Sequence, residues 1–110
     1  MSQRALQEPT FLILTALAAG MQHGYGIITD VSRISEGRVR LRAGTLYAAL
    51  DRLRADELIE VDHEEIVDGR LRRYYTLSEE GSRQLAAEAA RLQANVTAAF
   101  SRLKAVRGLA

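Results

Sequence analysis

Arginine carries most of the chemistry visible in this chain. Arg33, Arg38, Arg40, Arg42, Arg52 and Arg54 crowd its middle, and Arg70, Arg72 and Arg73 form a second cluster beyond an acidic stretch from Asp56 to Asp68. Every basic residue except Lys104 is arginine. A guanidinium is a planar fork of donors that matches phosphate oxygens and base edges bidentately, which an ammonium does not. A GC-rich genome is an alternative reason for arginine over lysine, though not for the clustering. Between the clusters, "RAGTLYAALDRLRADELIE" (42–60) sets Gly44 and Thr45 ahead of a leucine-spaced segment. Small residues at such a start let a helix N-terminus approach a phosphate, whose charge the helix end favours.

The other reactive types are His23 and the run Asp62-His63-Glu64-Glu65. On a regular strand Asp62 and Glu64 face one side and His63 and Glu65 the other, so these groups are expected not to converge. There is no nucleophile–base pair, phosphate-binding glycine loop or two-histidine helix signature. With no cysteine, disulfides and thiolate metal sites are excluded. The expectation is therefore no catalytic residue, no metal and no cofactor. A metal bridging two subunits through His23 and His63 is the weaker alternative.

These side chains must be positioned by a small frame. A chain of 110 residues makes one domain, or one domain with an appendage. Its 47% apolar and 26% charged shares are ordinary for a globular protein, and a net charge of +1 means that the whole molecule is no polycation. No apolar run approaches the roughly 18 residues that span a bilayer, and no signal peptide is visible, which fits a cytoplasmic protein without a membrane partner.

Glu8-Pro9-Thr10 opens a first helix, with proline tolerated in its first turn, that runs to a stop at Gly20. Phe11, Leu12, Ile13, Leu14, Ala16 and Leu17 leave it almost no polar face. A helix apolar all round needs cover on several sides, and a second subunit is the expected source, with Phe11 and Leu14 at that contact. "HGYG" (23–26) reads as a turn. A second helix follows from about Tyr25 to Ile34, with Ile27, Val31 and Ile34 on one face. "RVRLR" (38–42) alternates as a short half-buried strand, with Val39 and Leu41 inward and the arginines outward. In the third helix Leu46, Leu50 and Leu53 make the core stripe, while Thr45, Tyr47, Ala48, Asp51 and Arg52 lie opposite.

Residues 58–77 alternate on both sides of Asp68-Gly69, the signature of a β-hairpin, and of the adjacent Tyr74 and Tyr75 one should be core. Ser78 caps a fourth helix with Glu79 and Glu80 in its first turn. Gly81, also in that turn, costs about 1 kcal/mol against alanine where fraying is already cheap. Leu85, Ala89, Leu92, Val96, Ala99, Leu103 and Val106 then recur at alternating spacings of four and three, a heptad seam that asks for a partner helix. Each buried leucine there contributes roughly 1.5–3 kcal/mol, so several hold a dimer.

Three helices followed by a two-stranded wing make a winged helix-turn-helix, mainly α with a small β-hairpin. The expected units are a DNA-binding domain at 1–78 and a dimerisation helix at 79–110. The third helix would enter a major groove of double-stranded DNA. Gly44 and Thr45 would meet a phosphate. Arg38, Arg40, Arg42 and Arg52 would add backbone contacts, and Gly69 with Arg70 and Arg72 would carry the wing to the duplex, Arg70 entering a minor groove. Two copies would read the halves of a palindromic operator.

"LTALAAGMQHGYGI" (14–27), "LRAGTLYAALDRLRADELIE" (41–60) and "DGRLRRYYTLSEEG" (68–81) together resemble the PadR-like transcription regulators, in the right order over about residues 8–85. The single C-terminal helix is similar to that of the smaller subgroup. The resemblance implies a homodimeric repressor, often responsive to a small-molecule inducer. It also implies that Gly44, Thr45 and Tyr47 approach DNA at the recognition helix, Tyr25 at the second helix, and Gly69 with Arg70 at the wing tip. Two positions depart from the family pattern. Ala43 stands where proline is common, and Glu57 where glycine is usual, so Asp56 or Glu57 should adopt a left-handed cap conformation. Smaller relatives hold flat aromatic drugs between tryptophans at the dimer centre. This chain has no tryptophan, so that mode is not expected; Phe11 and Phe100, both assigned to the dimer interface, are candidates to line a pocket but read more readily as core. The rival reading is a dimeric protein-interaction or small-molecule-binding module without DNA binding, for which the arginines are only a solvated face.

Overall fold

The computed structural model describes residues 5–107, so the outermost ends of both expected units lie outside the described residues. The elements run α1 (Glu8–Ala18), β1 (Gln22–His23), α2 (Gly24–Ile34), α3 (Ala43–Ala55), β2 (Ile59–Val67), β3 (Arg70–Leu77) and α4 (Glu79–Arg107). This is a mainly helical winged helix with a small antiparallel sheet in the order β1-β3-β2. The radius of gyration is 16.7 Å, above the roughly 13 Å of a compact chain of about 100 residues, because α4 projects from the domain.

α1 corrects one expectation. Leu12, Ile13, Leu14, Ala16 and Leu17 are all buried, and the cover comes from α2, α4 and β3 of the same chain. Leu14 has no exposed surface, so it is a core residue and cannot add area to a subunit contact. Phe11 is half-buried against the same core. The helix also stops at Ala18, short of Gly20.

The expected turn at 23–26 is instead a two-residue strand and the first turn of α2. His23 pairs with Tyr74 in the sheet and caps α2, its Nδ1 accepting the Gly26 N–H at 3.3 Å. Ile27 and Val31 are buried as expected, but Ile34 is largely exposed and Ser35 takes the buried place beside it. Residues 38–42 are not a strand. Among the described residues the sheet is made of β1, β3 and β2, and the Val39 N–H donates instead to the Ser35 hydroxyl at 3.0 Å. The facing still holds, with Val39 and Leu41 packed on the core and Arg38, Arg40 and Arg42 exposed.

α3 buries Leu46, Ala49, Leu50 and Leu53. Its C-terminus closes as a Schellman motif, with Leu58 N–H donating to Leu53 O at 2.9 Å and Glu57 N–H to Arg54 O at 2.9 Å. Glu57 takes the left-handed position at φ 62°, as its departure from glycine implies. Glu57→Gly is expected to raise the unfolding free energy by about 1 kcal/mol. Left-handed backbone costs a side-chain-bearing residue roughly 1–2 kcal/mol, and glycine's freedom in the unfolded chain offsets part of that gain. Thermal unfolding checks it, and a lower midpoint would mean that the Glu57 side chain contributes more than its strain costs.

The hairpin turn has φ 52° at Asp68 and 76° at Gly69, the double positive φ of a type I′ turn. Tyr75 is the core tyrosine, and Tyr74 faces the other side. A bulge between Val61 and His63 leaves Asp62 unpaired. Ser78 caps α4, its hydroxyl accepting the Gly81 N–H at 2.9 Å and donating to Glu57 O at 2.7 Å. The first half of α4 packs on α1 and β3. Leu85 is half-buried and packs against the chain's own core, so only part of its surface remains for the seam. Glu88 is buried and accepts from Leu6 N–H at 3.2 Å and from Arg91; Arg91 first, with the Leu6 bond, holds its carboxyl below the usual range. Farther along, Leu92 is half-buried, while Ala89, Val96, Ala99, Phe100 and Leu103 are exposed, so Phe100 is not core within its own chain, which corrects that expectation and leaves it free for a subunit contact.

Candidate nucleic-acid interface

Three elements meet around one cleft. Its walls include Tyr25 from the start of α2, Tyr47 from α3, and Arg70 and Arg72 from β3, with His23 and Gly24 beside them. Tyr25 is 67% exposed and Tyr47 44%, so both rings present surface outward. Tyr47 also has an internal task. A Cβ built on buried Gly24 would lie 2.3 Å from the Tyr47 hydroxyl, so that hydroxyl rests directly on the first residue of α2. Glycine at 24 is what lets α3 seat its tyrosine there.

The exposed face of α3 continues into a second groove lined by Gly44, Thr45, Ala48 and Arg52, with Pro9 and Thr10 of α1 opposite. Arg42 precedes α3 as its N-cap residue and supplies no side-chain cap bond, whereas α2 and α4 are capped by His23 and Ser78. A Cβ on Gly44 would meet nothing within 4 Å. Packing within the chain therefore does not require glycine there, although glycine in a helix costs about 1 kcal/mol against alanine.

Ion pairing sorts the arginines. Arg73 holds Glu64 at 2.8 Å, Arg33 holds Asp30 at 3.2 Å, and Arg83 and Arg91 pair along α4 with Glu80 and Glu88. Arg40, Arg42, Arg52, Arg54, Arg70, Arg72 and Arg102 have no ion pair among the described residues, and of these Arg42, Arg52, Arg70 and Arg72 border the cleft, the second groove or the start of α3. The row of three arginines is not gathered as one. Arg38 lies 3.7 Å from Glu8, and Arg40 donates to Gly37 O at 3.2 Å and lines a separate groove with Thr29, Ser32 and Arg33. Gly69 stands open at the wing tip, with nothing within 4 Å of a Cβ built on it.

The part with no sequence signal is the link between wing and α2. Tyr74 stacks on His63 at 4.5 Å, meets His23 edge-on at 5.5 Å, and donates its hydroxyl to Glu65 at 2.7 Å. Burial first, then the Arg72 charge, pull the pKa of His23 below its usual value against the opposing effect of Glu65. That favours the neutral ring whose Nδ1 accepts the cap bond. Strand alternation also misplaces Asp62. The bulge turns its carboxylate to 2.7 Å from His63 Nδ1, so these two groups do meet. Among the described residues no group of three His, Cys, Asp or Glu side chains could hold a metal ion, and no helix is long and apolar enough to cross a membrane.

Residues 13–87 match the family model described as the transcriptional regulator PadR-like family. An uncharacterized protein of Lysinibacillus sphaericus is 30% identical over 74 residues, spanning 67% of this chain and 68% of that one. Among solved structures, a PadR family transcription regulator from hypervirulent Clostridium difficile superposes with a TM-score of 0.71 at 25% identity, covering 88% of this chain and 99% of its own. A PadR-like transcriptional regulator from Bacillus cereus gives 0.71 at 23% identity over 86% and 90%. Bacillus subtilis PadR in complex with operator DNA gives 0.65 at 21% identity, over 74% of this chain and 46% of that longer one.

Proposed function

From the premise that this chain belongs to the PadR-like transcriptional regulator family, we propose that it is a cytoplasmic homodimeric repressor that binds a palindromic DNA operator, with residues 1–78 reading the duplex and 79–110 joining the copies. The observation that carries this reading is the placement of four unpaired arginines around two exposed tyrosines and an open-fronted Gly44. Gly44, Thr45 and Ala48 let the start of α3 sink against base edges and a phosphate, whose charge its uncapped N–H groups favour. Arg42 and Arg52 flank that helix, and Arg70 and Arg72 extend the contact along the backbone to the wing. Tyr25 stands beside them at the α2 end, while Tyr47 both touches the duplex and holds the two helices in register through Gly24. Arg38 and Arg40 lie farther round and reach only flanking phosphates. That a related protein is known in complex with operator DNA supports the same mode here. A small molecule that changes the spacing of the two reading heads, about 34 Å for one DNA turn, would act as inducer.

Titration of a labelled duplex taken from upstream of the protein's own coding sequence, over a series of salt concentrations, tests the reading. If a dimer neutralises about eight phosphates, log K falls against log salt with a slope of roughly −7. Gly44→Ala should gain up to about 1 kcal/mol of stability from helix propensity and yet bind the duplex more weakly. Absence of DNA retention at every salt concentration would leave a dimeric interaction module as the better description.

A further inference from the structure

The wing carries an apolar pair that the fold does not use. Ile66 is 75% exposed and Leu71 is 61% exposed. They are directly opposed across β2 and β3, one step inside the Val67–Arg70 pair that closes the turn. Alternation puts Leu71 on the same face of β3 as Arg73 and Tyr75. Tyr75 is buried, but the Arg73–Glu64 ion pair lies between it and Leu71, so the core does not extend to the tip. A cross-strand aliphatic pair contributes to a hairpin, yet two aliphatic residues left in water at the end of a projecting ribbon gain nothing from burial.

Both sides of the tip describe one partner. Arg70 and Arg72 have no ion pair among the described residues, and although Asp68 shares their cleft and Glu65 is the strand partner of Arg72, the two guanidiniums are left to seat an anionic partner. Ile66 and Leu71 need a surface with apolar walls. Leu71 lines the same cleft as Tyr25, Tyr47, Arg70 and Arg72, and Ile66, outside that cleft, adjoins it only as the cross-strand partner of Leu71. A minor groove combines a phosphate rim with deoxyribose walls, and aliphatic wedges placed in one unstack a base step and bend the duplex. We infer that Ile66 and Leu71 form an aliphatic wedge at the wing tip that presses into the minor groove beside the site of α3 and bends the DNA. The inference rests on the DNA-binding reading above.

The variant Ile66→Thr with Leu71→Thr places β-branched, strand-compatible side chains at both positions and removes most of the apolar surface. Its binding to a labelled duplex of about 30 base pairs from upstream of the coding sequence is followed by anisotropy, and the end-to-end distance of the bound duplex by energy transfer. The wedge predicts about tenfold weaker binding, an unchanged salt slope because no phosphate contact is lost, and a longer end-to-end distance. Ile66→Val with Leu71→Met should restore most of the affinity and the bend. Unchanged affinity and bend would overturn the wedge. So would a shallower salt slope, since the pair would then only stiffen the hairpin that carries Arg70 and Arg72, and so would a change of oligomeric state, which would make the pair a protein contact. A wild-type protein that retains no DNA at any salt would sink the regulator reading itself, whereas tight wild-type binding with an indifferent variant sinks the wedge alone.

Discussion

Phe100→Asp combined with Leu103→Asp should leave a folded monomer whose DNA affinity is lower by a factor of about 100 or more. Phe100 and Leu103 are 63% and 50% exposed, and Val96 and Val106 continue the same run at 46% and 84%. The domain itself gains nothing from these side chains, so the thermal midpoint of the isolated fold should hardly move. A second α4 packed against them would bury several side chains worth roughly 1.5–3 kcal/mol each, and two carboxylates in that seam would have to be desolvated without a partner. The effect on DNA comes from linkage. Two reading heads joined in one particle bind the second half-site at an effective concentration near millimolar, which multiplies affinity without adding a contact. Sedimentation gives the oligomeric state and anisotropy gives the affinity. A variant that stays dimeric would place the interface elsewhere, on surface that α4 does not supply.

Gly81→Ala should have the largest effect on stability. Helix propensity alone favours alanine by about 1 kcal/mol. The packing is opposed and stronger. A Cβ at position 81 would lie 2.0 Å from the Leu58 carbonyl oxygen and 3.2 Å from Leu77 Cδ2. The first obstacle is backbone, and that same carbonyl accepts the Ser78 N–H at 3.0 Å, so it cannot move without loosening the start of α4. Overpacking of this kind costs roughly 1–3 kcal/mol, and more where backbone must shift. Against a total of about 5–15 kcal/mol, the variant should unfold at visibly lower urea. A raised midpoint would show that α4 can rotate away at little cost.

The contrast at Gly81 shows where sequence reading stops. Read along the chain, it is a weak point in a helix; read in space, it is the residue that lets α4 cross Leu58. The same holds at Gly24, which looked like part of a turn and is the seat of Tyr47. His23 escaped as a cap because imidazole is not among the usual capping side chains, and β1 because two residues carry no periodicity. Glu57 was legible because a left-handed helix end is a local requirement, and so was the Asp68–Gly69 turn.

The sequence by itself determined the order of the four helices and the hairpin, the buried stripe of Leu46, Leu50 and Leu53, and the places where arginine gathers, because periodicity, capping and turn chemistry act between near neighbours. Only the tertiary structure decided that α1 is covered by its own chain, that Leu14 belongs to the core and that Leu85 packs against it. It also decided that Arg42, Arg52, Arg70 and Arg72 are left unpaired while Arg33 and Arg73 are taken up. Those outcomes depend on which surfaces meet across many residues of separation, and an ion pair or a buried face exists only once both partners have been brought to the same place.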